Sequence, residues 1–178
     1  MIDSIVDPNM ELRVIQGDIA EQSADALVNA AGTSLQMGSG VAGALRRKAG
    51  EEINDEAILK GPVELGEVAV TDAYALDAEY VIHAAAMSQY GDRKATAESI
   101  RAATRNTLTE ADELGCQSLV VPALGTGVAG FDFATGVEYV CEEIAEYEPD
   151  TIEEIRLIAY GDGEYETMRD VATEYGAE

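Results

Sequence analysis

One alternation constrains this chain more than any other feature. Short apolar runs rich in β-branched residues take turns with longer stretches that repeat at the helical period. Leu12 to Gln16, Ala26 to Asn29, Glu67 to Thr71, Tyr80 to Ala84, Leu119 to Ala123 and Ile155 to Tyr160 read as strands. Helical stretches follow from a Gly-Ser-Gly turn through Arg46, over Glu51 to Leu59, over Ala95 to Leu114, from Asp132 onward, and over Glu164 to Tyr175. In the longest of these, Ile100, Ala103, Thr107, Leu108, Ala111 and Leu114 recur at intervals that place them on one face, and Gly115 stands where a C-cap is needed. Gly61-Pro62 stops the second helix. Strands this apolar must be covered on both faces. The expected fold class is therefore α/β, a three-layer α/β/α sandwich with a mixed, mostly parallel central sheet. The third and fourth strands are joined by a short turn and are expected to pair as neighbours. With 178 residues in one uninterrupted alternation, the chain reads as a single domain. Residues 1–10, ending in a second methionine, read as a loose extension.

Charge narrows the functional classes. Asp and Glu number 35 against 11 Lys and Arg, a net charge of −24. Nucleic acid and anionic membranes are bound by clustered cations, so neither is an expected partner. The acids are spread along the chain, as suits a surface adapted to molar salt, where self-repulsion is screened; this points to a halophilic archaeon. No run is long or apolar enough for a membrane span or signal peptide, and a cytoplasmic location is expected. Cys116 and Cys141 lack metal or redox spacing and read as small buried apolar groups. His83, the single histidine, sits inside an apolar run without a histidine partner. No metal and no cofactor are expected.

In open sheets of this kind, ligands bind outside the carboxyl ends of the strands. Three loops leave those ends. The first is Gly17-Asp18-Ile19. The second is Asn29-Ala30-Ala31-Gly32 with its continuation Gly38-Ser39-Gly40-Val41. The third is Gly125-Thr126-Gly127-Val128-Ala129-Gly130-Phe131. The last two end in glycines just before a helix, where backbone N–H groups and the helix dipole favour an anion. Each hydrogen bond to a charged oxygen contributes roughly 1.5–3 kcal/mol, so four or five support micromolar affinity without a lysine. The loops contain none. Asp18 at a strand end can accept from an exocyclic amine of a base; it is equally suited to cap a helix. Tyr160, ending the last strand, can stack on a base or pack in the core.

The third loop spells GxGxxG, but the acidic residue that a dinucleotide fingerprint needs on the next strand is missing, since that strand ends at Tyr160-Gly161-Asp162. A Walker A loop is excluded, because no Gly-Lys-Ser/Thr follows either loop.

Five motifs in order resemble the macro domain, the ADP-ribose-binding module: Val14-Ile15-Gln16-Gly17-Asp18-Ile19, Asp25-Ala26-Leu27-Val28-Asn29-Ala30-Ala31, Gly38-Ser39-Gly40-Val41-Ala42-Gly43-Ala44, Tyr80-Val81-Ile82-His83-Ala84, and Pro122 through Phe131. The resemblance implies that Asp18, with Ile19 beside it, holds the adenine amine. It implies that Gly38, Ser39, Gly40 and Val41 line the diphosphate and distal ribose, and that Gly125 to Phe131 wrap the diphosphate. It places Asn29 in the site and Tyr160 against adenine. The family's usual Asn-Ala-Ala-Asn ends here in Gly32. The acid found ten positions later in MacroD-type hydrolases is here Ala42, and Ser39 replaces the usual middle glycine. The resemblance thus implies binding of ADP-ribose, free or on a mono-ADP-ribosylated protein. The alternative is a hydrolase of ADP-ribose derivatives: an ADP-ribosyl ester, O-acetyl-ADP-ribose or ADP-ribose-1″-phosphate.

Overall fold

The computed structural model describes residues 5–88, 94–127 and 129–178. In chain order the elements are β1 (Glu11–Gln16), a 3₁₀ turn (Ile19–Glu21), β2 (Ala26–Gly32), α1 (Gly40–Ala49), α2 (Glu52–Lys60), β3 (Val68–Asp72), β4 (Tyr80–Met87), α3 (Ala97–Glu113), β5 (Ser118–Pro122), α4 (Phe133–Glu146), β6 (Glu154–Ala159) and α5 (Asp162–Thr173). The strands form one sheet in the order β1-β6-β5-β2-β4-β3. All neighbours run parallel except β3 and β4, which pair antiparallel as expected from their short connection.

Alternate residues of each strand feed two separate cores. Ala26 and Val28 of β2 join Ile100 and Leu108 of α3, Val140 and Ile144 of α4 and Met168 of α5 on one face. Leu27 and Ala31 join Leu45 of α1 and Ile53 and Ala57 of α2 on the other. Leu27, Leu45, Ile53, Ile100 and Leu108 are essentially sealed from solvent. Burial of each such side chain is worth about 1.5–3 kcal/mol, which is why strands without polar alternation are stable only between two helical layers.

Local chemistry sets the element ends. β2 runs to Gly32 rather than stopping at Asn29, because it keeps pairing with β4 as far as Gly32 opposite Met87, across a register shift after Ala31. α3 starts at Ala97, later than its apolar pattern suggests, because Thr96 and Ser99 form a reciprocal capping box. At its other end Gly115, at φ 77°, donates to the Asp112 carbonyl and Cys116 donates to that of Ala111. This is the Schellman arrangement that favours glycine. The segment expected to hang loose is packed in its described part: Val6 and Met10 are buried, and the Val6 N–H donates to the Tyr175 carbonyl. Both cysteines are buried and free, and burial pushes their thiols up, to about 11 for Cys116 and about 12 for Cys141. Among the described residues no helix is long and apolar enough to cross a membrane.

Candidate functional site

A cavity of about 450 Å³ lies across the carboxyl ends of four neighbouring strands. Ala30, Ala31 and Gly32 bring in β2, Met87 brings in β4, Pro122 and Ala123 bring in β5, and Ile158 and Ala159 bring in β6. Three strand spacings of ~4.8 Å make it roughly 14 Å long. Most of the wall is small and apolar. No lysine or arginine lies on it, and Glu164 is its one charged side chain among the described residues.

Two loops supply the remaining walls. Gly38, Ser39, Gly40 and Val41 lead into α1. Ser39 occupies the N-cap position in extended conformation, yet its side chain makes no capping bond. Gly43 is the first amide to find a partner inside the helix, the Ser39 carbonyl. Helix geometry therefore leaves the N–H groups of Gly40, Val41 and Ala42 without an intrahelical acceptor, and all three residues lie on the cavity wall. The loop is pinned from behind through Met37. Its N–H donates to Asn54 Oδ1 at 2.8 Å, and its carbonyl accepts from Arg46 Nη1 at 2.8 Å. Arg46 is in turn held by Glu51.

The second loop brings Gly125, Thr126, Gly127 and Ala129 to the wall. It closes on itself: Gly130 donates to the Gly127 carbonyl and Phe131 to that of Gly125. Gly125 and Gly130 stand at φ 73° and 75°, the left-handed region that glycine enters without strain. Thr126 is braced against α4, where a Cβ on Gly136 would stand 2.7 Å from Thr126 Cγ2. Phe131 turns away and packs on Tyr139, with ring centroids 5.7 Å apart. Phe133, not singled out from sequence, takes a place on the wall instead. Gly130 and Phe131 shape the loop rather than face the cavity, and Val128 lies outside the described residues. At the helix that follows, Asp132 does what Ser39 does not. Its Oδ2 accepts from the Thr135 N–H at 3.0 Å and from the Thr135 hydroxyl at 2.8 Å. Those bonds, the backbone one foremost, hold the Asp132 carboxyl below its usual range.

Three other expected site residues are placed differently. Asp18 caps the 3₁₀ turn, accepting from the Ala20 N–H at 2.9 Å, and neither it nor the buried Ile19 lines the cavity. They stand one strand beyond its end, where the Gly17 N–H donates to the Ala159 carbonyl. Asn29 is buried in β2 opposite His83 of β4, and its Nδ2 donates to His83 Nδ1 at 3.0 Å. His83 Nε2 lies 3.0 Å from Thr71 Oγ1, whose hydroxyl donates to the Asp72 carbonyl. Because Asn29 Nδ2 can only donate and the Thr71 proton is already committed, the imidazole is assigned the tautomer protonated on Nε2. Burial pushes His83 down to about 4, so at neutral pH it is an uncharged group inside the sheet. Tyr160 does line the cavity, and at 79% exposure its ring has no packing partner in the core.

Fold and site together define an α/β/α sandwich with a cleft that carries no cation among the described residues and is rimmed by an uncapped helix and a glycine loop. The model of the Macro domain family matches residues 28–140, and the chain belongs to the macro domain family. An uncharacterised protein of Saccharolobus solfataricus is 38% identical over 166 residues, 91% of this chain and 92% of that one. An uncharacterised protein of Mycobacterium tuberculosis is 40% identical over 153 residues, 86% of this chain but 42% of its own length. The chain thus spans about two fifths of the mycobacterial relatives it matches. Among solved structures, the Oceanobacillus iheyensis macrodomain with ADP superimposes with a TM-score of 0.84 at 21% identity, covering 94% of this chain and 92% of that one. The Trypanosoma brucei macrodomain in complex with ADP-ribose gives 0.80 at 25% identity, covering 90% and 68%. The relatives come from bacteria and archaea alike and do not single out a halophile.

Proposed function

We propose that this domain binds ADP-ribose, free or attached to protein, with the diphosphate against the first turn of α1 and the loop 125–129. One observation carries the reading: three helix amides without intrahelical acceptors and a glycine loop lie on one cavity whose described lining holds no cation. Such a wall suits a phosphate chain, because the amides donate to charged oxygens while the small apolar residues leave room. Tyr160 at one end is free to stack on adenine. The O. iheyensis and T. brucei macrodomains, described with ADP and with ADP-ribose, support the same assignment. In this reading the adenine amine belongs to the free side of Asp18, next to the Tyr160 end. Asn29 supports β2 from within rather than touching ligand.

The domain acts as a binder rather than a MacroD-type hydrolase. Positions 32 and 42 both line the cavity, and Gly32 and Ala42 offer no polar side chain there to orient a water. The acidic surplus serves as adaptation to molar salt, which thermal unfolding across a KCl series reads directly.

Calorimetry with ADP-ribose in a folded sample gives saturable heat, and Gly127→Glu abolishes it. A Cβ at Gly127 meets no atom within 4 Å, so the variant keeps its fold while placing a carboxylate in the cradle. Unaltered affinity in that variant, or no heat for the parent, would falsify the proposal. Multiple turnovers of released ADP-ribose from a mono-ADP-ribosylated protein would replace binding by hydrolysis.

A further inference from the structure

Two helices open at this cavity without a side-chain cap, and they differ in charge. α1 follows Ser39 and has no acid in its first turn. α5 follows Gly161, likewise without a side-chain cap, but its first turn carries Asp162 and Glu164. By backbone geometry the two are equivalent anion sites. The two carboxylates offset the roughly half positive charge of the α5 terminus, so only α1 presents it to a ligand. The acids are not interchangeable. Asp162 Oδ1 accepts from Gln16 Nε2 at 2.7 Å and is tied to the end of β1. Glu164 stands beside Tyr160 on the cavity wall itself. The cleft therefore has a polarity, with amide donors along the first turn of α1 and a carboxylate at the β6–α5 end.

We propose that Glu164 is a specificity-determining residue that rejects nucleotides carrying an extra phosphate at the base end. The excluded class is ADP-ribose phosphorylated on the 2′ position of its adenine-bearing ribose, the derivative that arises from NADP rather than NAD. The inference rests on the ADP-ribose reading above, with adenine at Tyr160. The 2′ position adjoins the base, so its phosphate enters the field of Glu164, and no described residue of the wall is a cation that would neutralise it. Sites that accept this phosphate supply an arginine nearby. A doubly charged phosphate several ångströms from one water-exposed carboxylate is disfavoured about tenfold. Added salt shrinks the gap, because both charges face solvent.

The test is calorimetric titration of the parent, Glu164→Gln and Glu164→Lys with ADP-ribose and with its 2′-phosphate, at low and at molar KCl. The parent prefers ADP-ribose about tenfold at low salt. The ratio collapses toward unity in Glu164→Gln, reverses in Glu164→Lys, and narrows for the parent as salt rises. Glu164 is exposed, so these variants leave the cores intact. Equal affinities in the parent, or a ratio that neither variant moves, overturn the inference while leaving ADP-ribose binding in place. A ratio that moves with Asp162→Asn but not with Glu164→Gln overturns it too, by assigning the charge to the wrong residue. Absence of heat from both ligands overturns the ADP-ribose reading itself.

Discussion

The loops that open α1 and α4 look alike on paper, each glycine-rich and each leading from a strand end into a helix. In three dimensions they do different work. Before α4, Asp132 satisfies the Thr135 amide, one of the donors that the first turn leaves open. Before α1, Ser39 leaves the first-turn amides to whatever enters the cavity. The α4 loop supplies shape, through the left-handed Gly125 and Gly130 and through Thr126 wedged on Gly136. The α1 loop supplies donors. Of the two glycine-rich turns, only the one whose N-cap side chain makes no bond leaves the amide at its N3 position free to meet an anion.

The largest effect expected from this difference comes from making the first loop like the second. Ser39→Asp places a carboxylate over the α1 amides. It weakens ADP-ribose about a thousandfold, some 4 kcal/mol, while the melting temperature holds or rises. Calorimetry beside a thermal melt checks both halves, and retained affinity would show that the α1 amides are not the phosphate site. Next in size is Gly125→Ala. Its Cβ would stand 2.7 Å from that of Ala95 at a φ of 73°, and denaturant unfolding should report about 2–4 kcal/mol of lost stability. Gly40→Ala in the other loop, at φ 61° but with no atom within 4 Å of the new Cβ, should lose only about 1–2 kcal/mol. Equal losses would mean that the crowding against Ala95 does not set the Gly125 loop apart from the Gly40 loop.

Smallest is the effect of trimming the caps themselves. Asp132→Ala lowers the melting temperature and Ser39→Ala barely moves it, because only the first removes a capping bond. The Asp132 contribution has a pH signature. Its folded pKa is lowered, chiefly by the Thr135 amide, so the stabilisation is fully present above the unfolded pKa of about 3.9 and is lost as pH falls through the folded value. Melts of the parent and Asp132→Ala should therefore differ at pH 7 and converge in strong acid. A constant difference down to pH 2 would remove the cap from the account.

The order of strands and helices was legible because apolar runs and helical periods are local properties. So was the pairing of β3 with β4, since their connection is short. The sheet order was not. β6 inserts between β1 and β5 only because distant runs match in register, Leu12 with Ile155 and Val120 with Arg156. On the cavity wall, Gly38 to Val41 and Gly125 to Gly127 were readable from their glycines, and Tyr160 from its place at a strand end. Asp18 carried two meanings in sequence, and the structure shows it capping the 3₁₀ turn. Phe131 and Phe133 are two residues apart, and no local rule says which one faces the cavity. The clamp of Asn54 and Arg46 on Met37 was invisible, since it joins two helices to one loop through backbone atoms. Glu164 was hidden among many acids until the fold placed it at the cavity.

One feature of the fold reaches beyond ligand chemistry. The Val6 amide meets the Tyr175 carbonyl, and the Glu178 amide meets that of Leu12, so both ends of the described chain gather at the outer edge of β1. That corner serves the amino ends of the parallel strands, while the cavity occupies their carboxyl ends. A domain whose ends meet on the rim opposite its cleft can be carried as a module, spliced into or fused onto other polypeptides without any new segment crossing the ligand's path. The mycobacterial relatives, in which the matched portion is 42% of a longer chain, have the proportions such modular use would give.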